Sequence, residues 1–287
     1  MKNRRKQNSR INCEQLETRI MPAGAVTASI FNKVLTIKGD SSGNVISVFQ
    51  TSRIDKYSVT GSSTKINGAT GGAFNFTLQQ VDVINIDMGD GNDSVFVFGT
   101  EAPGVNKDLD APKGMTISTG AGNDTVFLKF LDVHQNSLTV SLGSGNDSLI
   151  VTSIRVQTGS LNVRPSTGFD AVEMSGVAAG TDISVVSSID ASVRVSIQNS
   201  TAGNIVDVDL SEGVDIVNIV NVKGKKLTAK LFDGNDKLNV KSSQFSSGAT
   251  LNGGDGDDLL NFFSNVGDSS WVRTAFRSPT RSNLFFT

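Results

Sequence analysis

GGDGDDLLN, Gly253 to Asn261, is the stretch whose reading decides the fold. It carries Gly at its first, second and fourth positions, Asp at the sixth and an apolar residue at the eighth. That is the nonapeptide grammar of a calcium-binding turn in a stack of parallel β-coils. Weaker copies lie upstream: MGDGNDSVF from Met88, TGAGNDTVF from Thr119, LGSGNDSLI from Leu142, PSTGFDAVE from Pro165, LSEGVDIVN from Leu210 and LFDGNDKLN from Leu231. All seven keep the fourth-position glycine: Gly91, Gly122, Gly145, Gly168, Gly213, Gly234 and Gly256. All keep the aspartate: Asp93, Asp124, Asp147, Asp170, Asp215, Asp236 and Asp258. All keep the apolar residue: Val95, Val126, Leu149, Val172, Val217, Leu238 and Leu260.

Around each turn, apolar residues fall two apart. Ile84, Ile86 and Met88 precede one turn and Val95 and Val97 follow it; Leu138, Val140 and Leu142 precede another, with Leu149 and Val151 after it. Period two in short runs bounded by Gly and Asp predicts half-buried strands. The motif aspartates are 31, 23, 23, 45, 21 and 22 residues apart. The 45 is close to two periods, and Asp182 to Val195 (DISVVSSIDASVRV) alternates like a coil that has lost its glycines. The 31 reflects an insertion, Gly99 to Gly114, expected as an exposed loop. Val34 to Val48 reads as a coil with a decayed turn, Asn44 standing where the aspartate would be, and Gln50 to Gln80 as one further irregular coil. The fold class predicted is all-β: a right-handed parallel β-solenoid of 22–23 residues per coil and about ten coils.

Composition agrees. Of the 28 acidic residues, 23 are Asp and five Glu. Asp suits turns and ion binding, and few Glu with many Val, Ser, Thr, Asn and Gly predicts little helix. Net charge is −2, with no nucleic-acid signature. Cys13 is the only cysteine, so no intramolecular disulfide can staple the chain. No apolar run is long enough for a membrane-spanning helix.

The turns resemble RTX (hemolysin-type) calcium-binding repeats, although a 22-residue period departs from the two turns per coil of that family. The resemblance implies calcium as cofactor, held by the sixth-position aspartates Asp93, Asp124, Asp147, Asp170, Asp215, Asp236 and Asp258 together with glycine carbonyls. Further oxygen donors cluster beside them: Asp90, Asn92, Asn123, Asn146, Asp233, Asn235, Asp255 and Asp257. Asp124 with Asp147, and Asp236 with Asp258, lie in consecutive well-formed coils; Asp170 and Asp215 sit in turns lacking the second Gly. Stacked carboxylates about 5 Å apart repel by about 3 kcal/mol at an effective dielectric of 20, which a cation removes. The competing expectation is a metal-free Asx ladder.

Residues 1–31 read as a basic leader. The segment CEQLETRIMPAG, Cys13 to Gly24, resembles the Leu-Glu-x-Arg…Pro-Ala leader of exported planctomycete-type proteins through Leu16, Glu17, Arg19, Pro22 and Ala23. That resemblance implies export to the envelope or outside. Residues 32–265 are expected to form the solenoid and 266–287 a cap or tail.

Catalysis has little support in the sequence. His134 is the only histidine and reads as a loop or strand residue; Lys129, Arg155 and Lys237 are marked by no motif. The expected function is a non-catalytic, exported calcium-binding structural or cell-surface protein, with calcium and envelope polysaccharide or other surface proteins as partners. The alternatives are a polysaccharide-lyase-like carbohydrate-active β-helix enzyme and a metal-free surface adhesin.

Overall fold

A computed structural model describes residues 24–51, 56–102, 105–187, 191–267 and 272–276. It is a parallel β-solenoid. Each coil gives one strand to a first sheet, turns at the Gly-Asx motif, gives a second strand to a second sheet, and returns. Among the described residues the first sheet has 13 strands and the second has 16, of which eleven lie along its main path. Within the regular body every neighbouring pair is parallel and in register. Leu138–Ser141 lies between Met115–Ser118 and Leu161–Arg164, and Thr125–Val133 lies between Ser94–Phe98 and Ser148–Val156.

The alternation puts the core where the sequence placed it. Val95, Val126, Leu149, Val172, Val195, Val217 and Leu238 are fully buried and stack on one another across the second sheet; Leu260, in the last such strand, is half-buried. Ile86, Ile117, Val140, Val163, Val185 and Val208 do the same in the first sheet. Parallel strands covered on one face by the opposing sheet read as Val, Ile and Leu at every second residue.

A third face closes the coil. Thr125–Val133 and Ser148–Val156 bend midway, at Phe130 (φ 52°) and Ser153 (φ 54°). Gly176, Asn199, Asn221, Ser242 and Ser264 hold positive φ at the equivalent place in later coils. Only one of these seven is glycine. The other six sit in a conformation that non-glycine residues adopt at a cost of about 1–2 kcal/mol, Asn least unwillingly.

One expectation holds and two change. The coil without glycines is present: Ile183–Val186 and Ala191–Gln198 fill the gap, with buried Val193 at the aspartate position beside Asp170. The Gly99–Gly114 insertion is not all exposed loop. It forms a hairpin, Thr100–Ala102 with Val105–Lys107, and then a strand, Leu109–Ala111, whose Leu109 and Ala111 are buried against Thr125–Val133. Gln50 to Gln80 is no coil: Lys56–Gly61 and Ala73–Thr77 run antiparallel to extend the second sheet beyond Val45–Gln50. These strands and the antiparallel pair Ala25–Phe31 with Val34–Lys38 cap the N-terminal end.

The domain limits move accordingly. The leader drawn as 1–31 ends too late, because Val26 and Ala28 of Ala25–Phe31 enter the core; residues 1–23, with the leader motif, lie outside the described residues. The solenoid drawn to 265 ends too early, because Val272–Thr274 still pairs in parallel with Ala249–Asn252.

Candidate functional site

The Gly-Asx turns stack on one edge, and three hydrogen-bond columns run along them. In the first, the fourth-position N–H donates to the third-position carbonyl of the next coil: Gly91 to Ala121 (2.7 Å), Gly122 to Ser144 (2.8 Å), Gly145 to Thr167 (2.8 Å), Gly213 to Asp233 (2.8 Å) and Gly234 to Asp255 (2.9 Å). Backbones approach closely here. Gly122 has φ 142°, and a Cβ on it would overlap the carbonyl oxygen of Gly91. Glycine is therefore required both for the dihedral and for the space.

The second column is built by the fifth-position side chains, which lie outside. Asn92 Oδ1 accepts from the backbone N–H of Asn123, Asn123 from Asn146, and Asn146 from Phe169, each at 2.8 Å. Ser192 Oγ accepts from Val214 at 3.0 Å and Asn235 Oδ1 from Asp257 at 2.9 Å. Each side chain reaches forward, to the coil that follows.

The third column is inside, and its side chains reach backward. Asp93 Oδ1 accepts from the backbone N–H of Asn44, Asp124 from Asp93, and Asp147 from Asp124, all at 2.7 Å. Asp170 accepts from Asp147 (2.9 Å), Asp215 from Val193 (2.7 Å), Asp236 from Asp215 (2.8 Å) and Asp258 from Asp236 (2.9 Å). All seven motif aspartates are at least 98% buried. The seven residues proposed from sequence thus form one column, broken once by Val193. Of the flanking donors, Asn92, Asn123, Asn146 and Asn235 belong to the outer ladder, while Asp90, Asp233, Asp255 and Asp257 are exposed on the rim.

One oxygen per turn is left over. The Oδ2 atoms of Asp93, Asp124, Asp147, Asp215, Asp236 and Asp258 are buried and have no hydrogen-bond partner. Asp170 differs, because the N–H of Ser166 meets its Oδ2 at 3.1 Å. Burial raises the carboxyl pKa of Asp93, Asp124, Asp147, Asp170, Asp215 and Asp236, and for Asp93, Asp147, Asp215 and Asp236 a neighbouring aspartate adds to the rise. Asp147 is pushed up to about 7, with Asp170 and Asp124 beside it, and Asp215 and Asp236 also to about 7. Asp93 and Asp170 reach about 6, and Asp124 is raised as well. The backbone N–H donors pull the other way but do not prevail. A buried carboxylate oxygen without a partner, among backbone carbonyls that each keep a second lone pair, is in kind what a hard oxygen-seeking cation accepts. The same oxygen is relieved equally by a proton.

A second cluster escaped the sequence reading. Asp110 and Asp132 are register partners on adjacent coils. His134 Nε2 lies 3.1 Å from Asp110 Oδ1 and 3.9 Å from Asp132 Oδ2. Burial raises the pKa of Asp110, with His134 opposing, and that of Asp108, where nearby Asp132 adds to the rise. The available signal was arithmetic: Asp110, Asp132 and Arg155 are 22 and 23 residues apart, the coil period. Lys129, Arg155 and Lys237 do not converge. Lys129 lies over the ring of Phe130, Arg155 beside Asp132, and Lys237 four coils further on.

Among the described residues, no helix is long and apolar enough to cross a membrane. No family model, no curated protein and no solved structure matches this chain. The likeness to RTX repeats and to the planctomycete-type leader therefore rests on the motif residues alone, and what the chain is shown to be is a parallel β-solenoid with coils of about 23 residues.

Proposed function

We propose that this chain is an exported, non-catalytic structural or cell-surface solenoid whose stacked aspartate turns take up calcium. The observation that supports it is the single unpartnered, buried Oδ2 in each of six turns. Ionised and bare, such a column is unfavourable. Calcium offers each oxygen a partner and cancels the repulsion between coils. A non-catalytic role is supported by the commitment of the motif carboxylates to backbone donors, which leaves them inside the body and away from any substrate. An extracellular or cell-surface location is supported by the leader motif around Leu16 to Ala23; with Cys13 the only cysteine, an exported chain needs a staple other than a disulfide, which calcium would supply. Fractionation of the source cells reads the location directly, and recovery in the cytosol alone would remove export from the reading.

The raised pKa values favour a second reading, a metal-free solenoid with neutral aspartates, as in a surface adhesin. Thermal melts separate the two. With chelator and then with about 5 mM calcium, the proposal expects a rise, since a ligand at 100 times its dissociation constant adds about 2.7 kcal/mol per site. Equal melting temperatures in the two buffers would leave the metal-free solenoid.

A further inference from the structure

We propose that Asp110, Asp132 and His134 form a separate site for a divalent transition metal of the zinc class, on a different face of the coil from the aspartate turns. The solenoid builds it from three positions. Asp110 is the central residue of the short strand Leu109–Ala111 contributed by the insertion, and Asp132, in Thr125–Val133, lies directly beside it in the next coil. His134 follows immediately after that strand, its backbone N–H held by the carbonyl of Ala111 at 3.3 Å. The three ligand atoms lie within 4.8 Å of one another, and this is the one such group among the described residues.

The distances suit a shared metal. Ligands at about 2.0–2.2 Å from one ion, at tetrahedral or octahedral angles, stand about 2.8–3.6 Å apart. Nε2 and Asp110 Oδ1 already stand at 3.1 Å; Asp132 Oδ2, at 3.9 Å from Nε2, has to close by at least about 0.3 Å. The side chain of Asp132 is oriented for it. Gln157 Nε2 donates to its Oδ1 at 2.9 Å, leaving Oδ2 turned to the imidazole. Such outer hydrogen bonds fix a ligand's direction. The charge also calls for a cation. Asp108 brings a third carboxylate close to Asp132, and against these stands Arg155, whose Nη1 is 3.9 Å from Asp132 Oδ2.

The ligand type sets the metal. An imidazole nitrogen with two carboxylate oxygens favours zinc and its neighbours over calcium, which prefers oxygen throughout. Three protein ligands on a half-exposed face leave room for water in the remaining positions. The site does not depend on the turns binding calcium. It also differs from a plain His–Asp ion pair, which needs neither Asp132 nor the Gln157 contact.

The test uses the full chain carrying Cys13→Ser, so that no thiol contributes, in excess calcium to occupy the turns. Zinc is titrated by calorimetry and by competition with a chromogenic chelator. The expected result is one zinc per chain at a dissociation constant of about 10 μM or tighter, weakened at least 10-fold by His134→Gln and by Asp110→Asn. Arg155→Gln, which removes the competing cation, should tighten it. His134 is 40% exposed, so its replacement leaves the fold intact, and the melt of each variant checks that. Cobalt in place of zinc should give visible absorption bands that His134→Gln shifts or abolishes. Absence of zinc binding tighter than about 100 μM, or unchanged affinity in His134→Gln, overturns the site and leaves an ordinary ion pair.

Discussion

The backbone N–H of Asp124 donates to Oδ1 of Asp147, 2.7 Å away in the next coil, while Oδ2 of Asp147 stays buried without a partner. One carboxylate thus does two different things. Its first oxygen is part of the coil-to-coil hydrogen bonding, and its second is an unmet charge.

Substitution at Asp147 separates these roles. Asp147→Asn keeps an acceptor for Asp124 and removes the charge. Asn44, at the same place in the first coil, shows an amide accommodated there, its Nδ2 donating to the carbonyl of Ser42 at 2.6 Å. Asp147→Asn should therefore melt several degrees above the parent in chelator at pH 7.5. Asp147→Ala orphans a buried N–H and should lose about 1–3 kcal/mol. Both should respond less to calcium. Equal chelator melts for the two variants would show that the Oδ1 bond contributes nothing.

The column also dictates a pH dependence. Asp147, Asp215 and Asp236 titrate near 7 in the folded chain against an ordinary 3.8, and Asp93 and Asp170 near 6. Folded pKa values above unfolded ones mean that the native state holds more protons between about pH 4 and 7. The associated stability is complete below about pH 4 and is lost as pH rises through 6 to 7. Without calcium, the melting temperature should therefore fall between pH 5 and pH 8. Saturating calcium should flatten or reverse that slope, because only the ionised carboxylate binds the ion. Circular-dichroism melts across this range decide it.

Gly145 is the tightest test of the backbone stack. Its φ is 134°, and a Cβ there would overlap the carbonyl of Gly122. Neither backbone can give way without breaking the N–H to carbonyl column on both sides. Gly145→Ala is expected to cost more than 3 kcal/mol and to lower the denaturant midpoint with calcium present, so the ion does not rescue it. A loss under 1 kcal/mol would show that the turns are looser than drawn.

The opposite corner predicts a gain. Ser153 is exposed and holds φ 54°, where Gly176 stands in the next coil. Ser153→Gly should relieve the dihedral and raise stability by about 0.5–1 kcal/mol after glycine's own entropy. Equilibrium denaturation measures it, and a loss would mean the serine has work at that corner beyond turning the chain.

The sequence carried the motif edge almost in full, since glycine and aspartate are both demanded there. Gly122 has no alternative at its dihedral, and Asp124 has an N–H waiting, so both residues show in the letters. The opposite corner was silent. Phe130, Ser153, Asn199 and Ser264 share a backbone shape but no side-chain requirement, and no common letter marks them. The N-terminal cap was misread because Lys56–Gly61 alternates as a coil strand does, and alternation does not say whether a neighbour runs parallel or antiparallel. Asp110, Asp132 and His134 were missed because the stacking of two adjacent coils brings them together and none belongs to a motif.

The inner and outer columns run in opposite senses, and this gives the solenoid a direction. Asp93 looks back to Asn44, whereas Asn92 looks forward to Asn123. A coil at the growing face therefore shows an amide oxygen ready to accept and an N–H still waiting for the carboxylate of the coil to come. Cutting the stack leaves two unlike surfaces: the N-terminal piece is short of a negative charge, and the C-terminal piece carries a carboxylate with nothing to receive. Two such ends complement each other but not themselves. Coils join head to tail, while head-to-head joining is disfavoured by the chemistry of the turn itself.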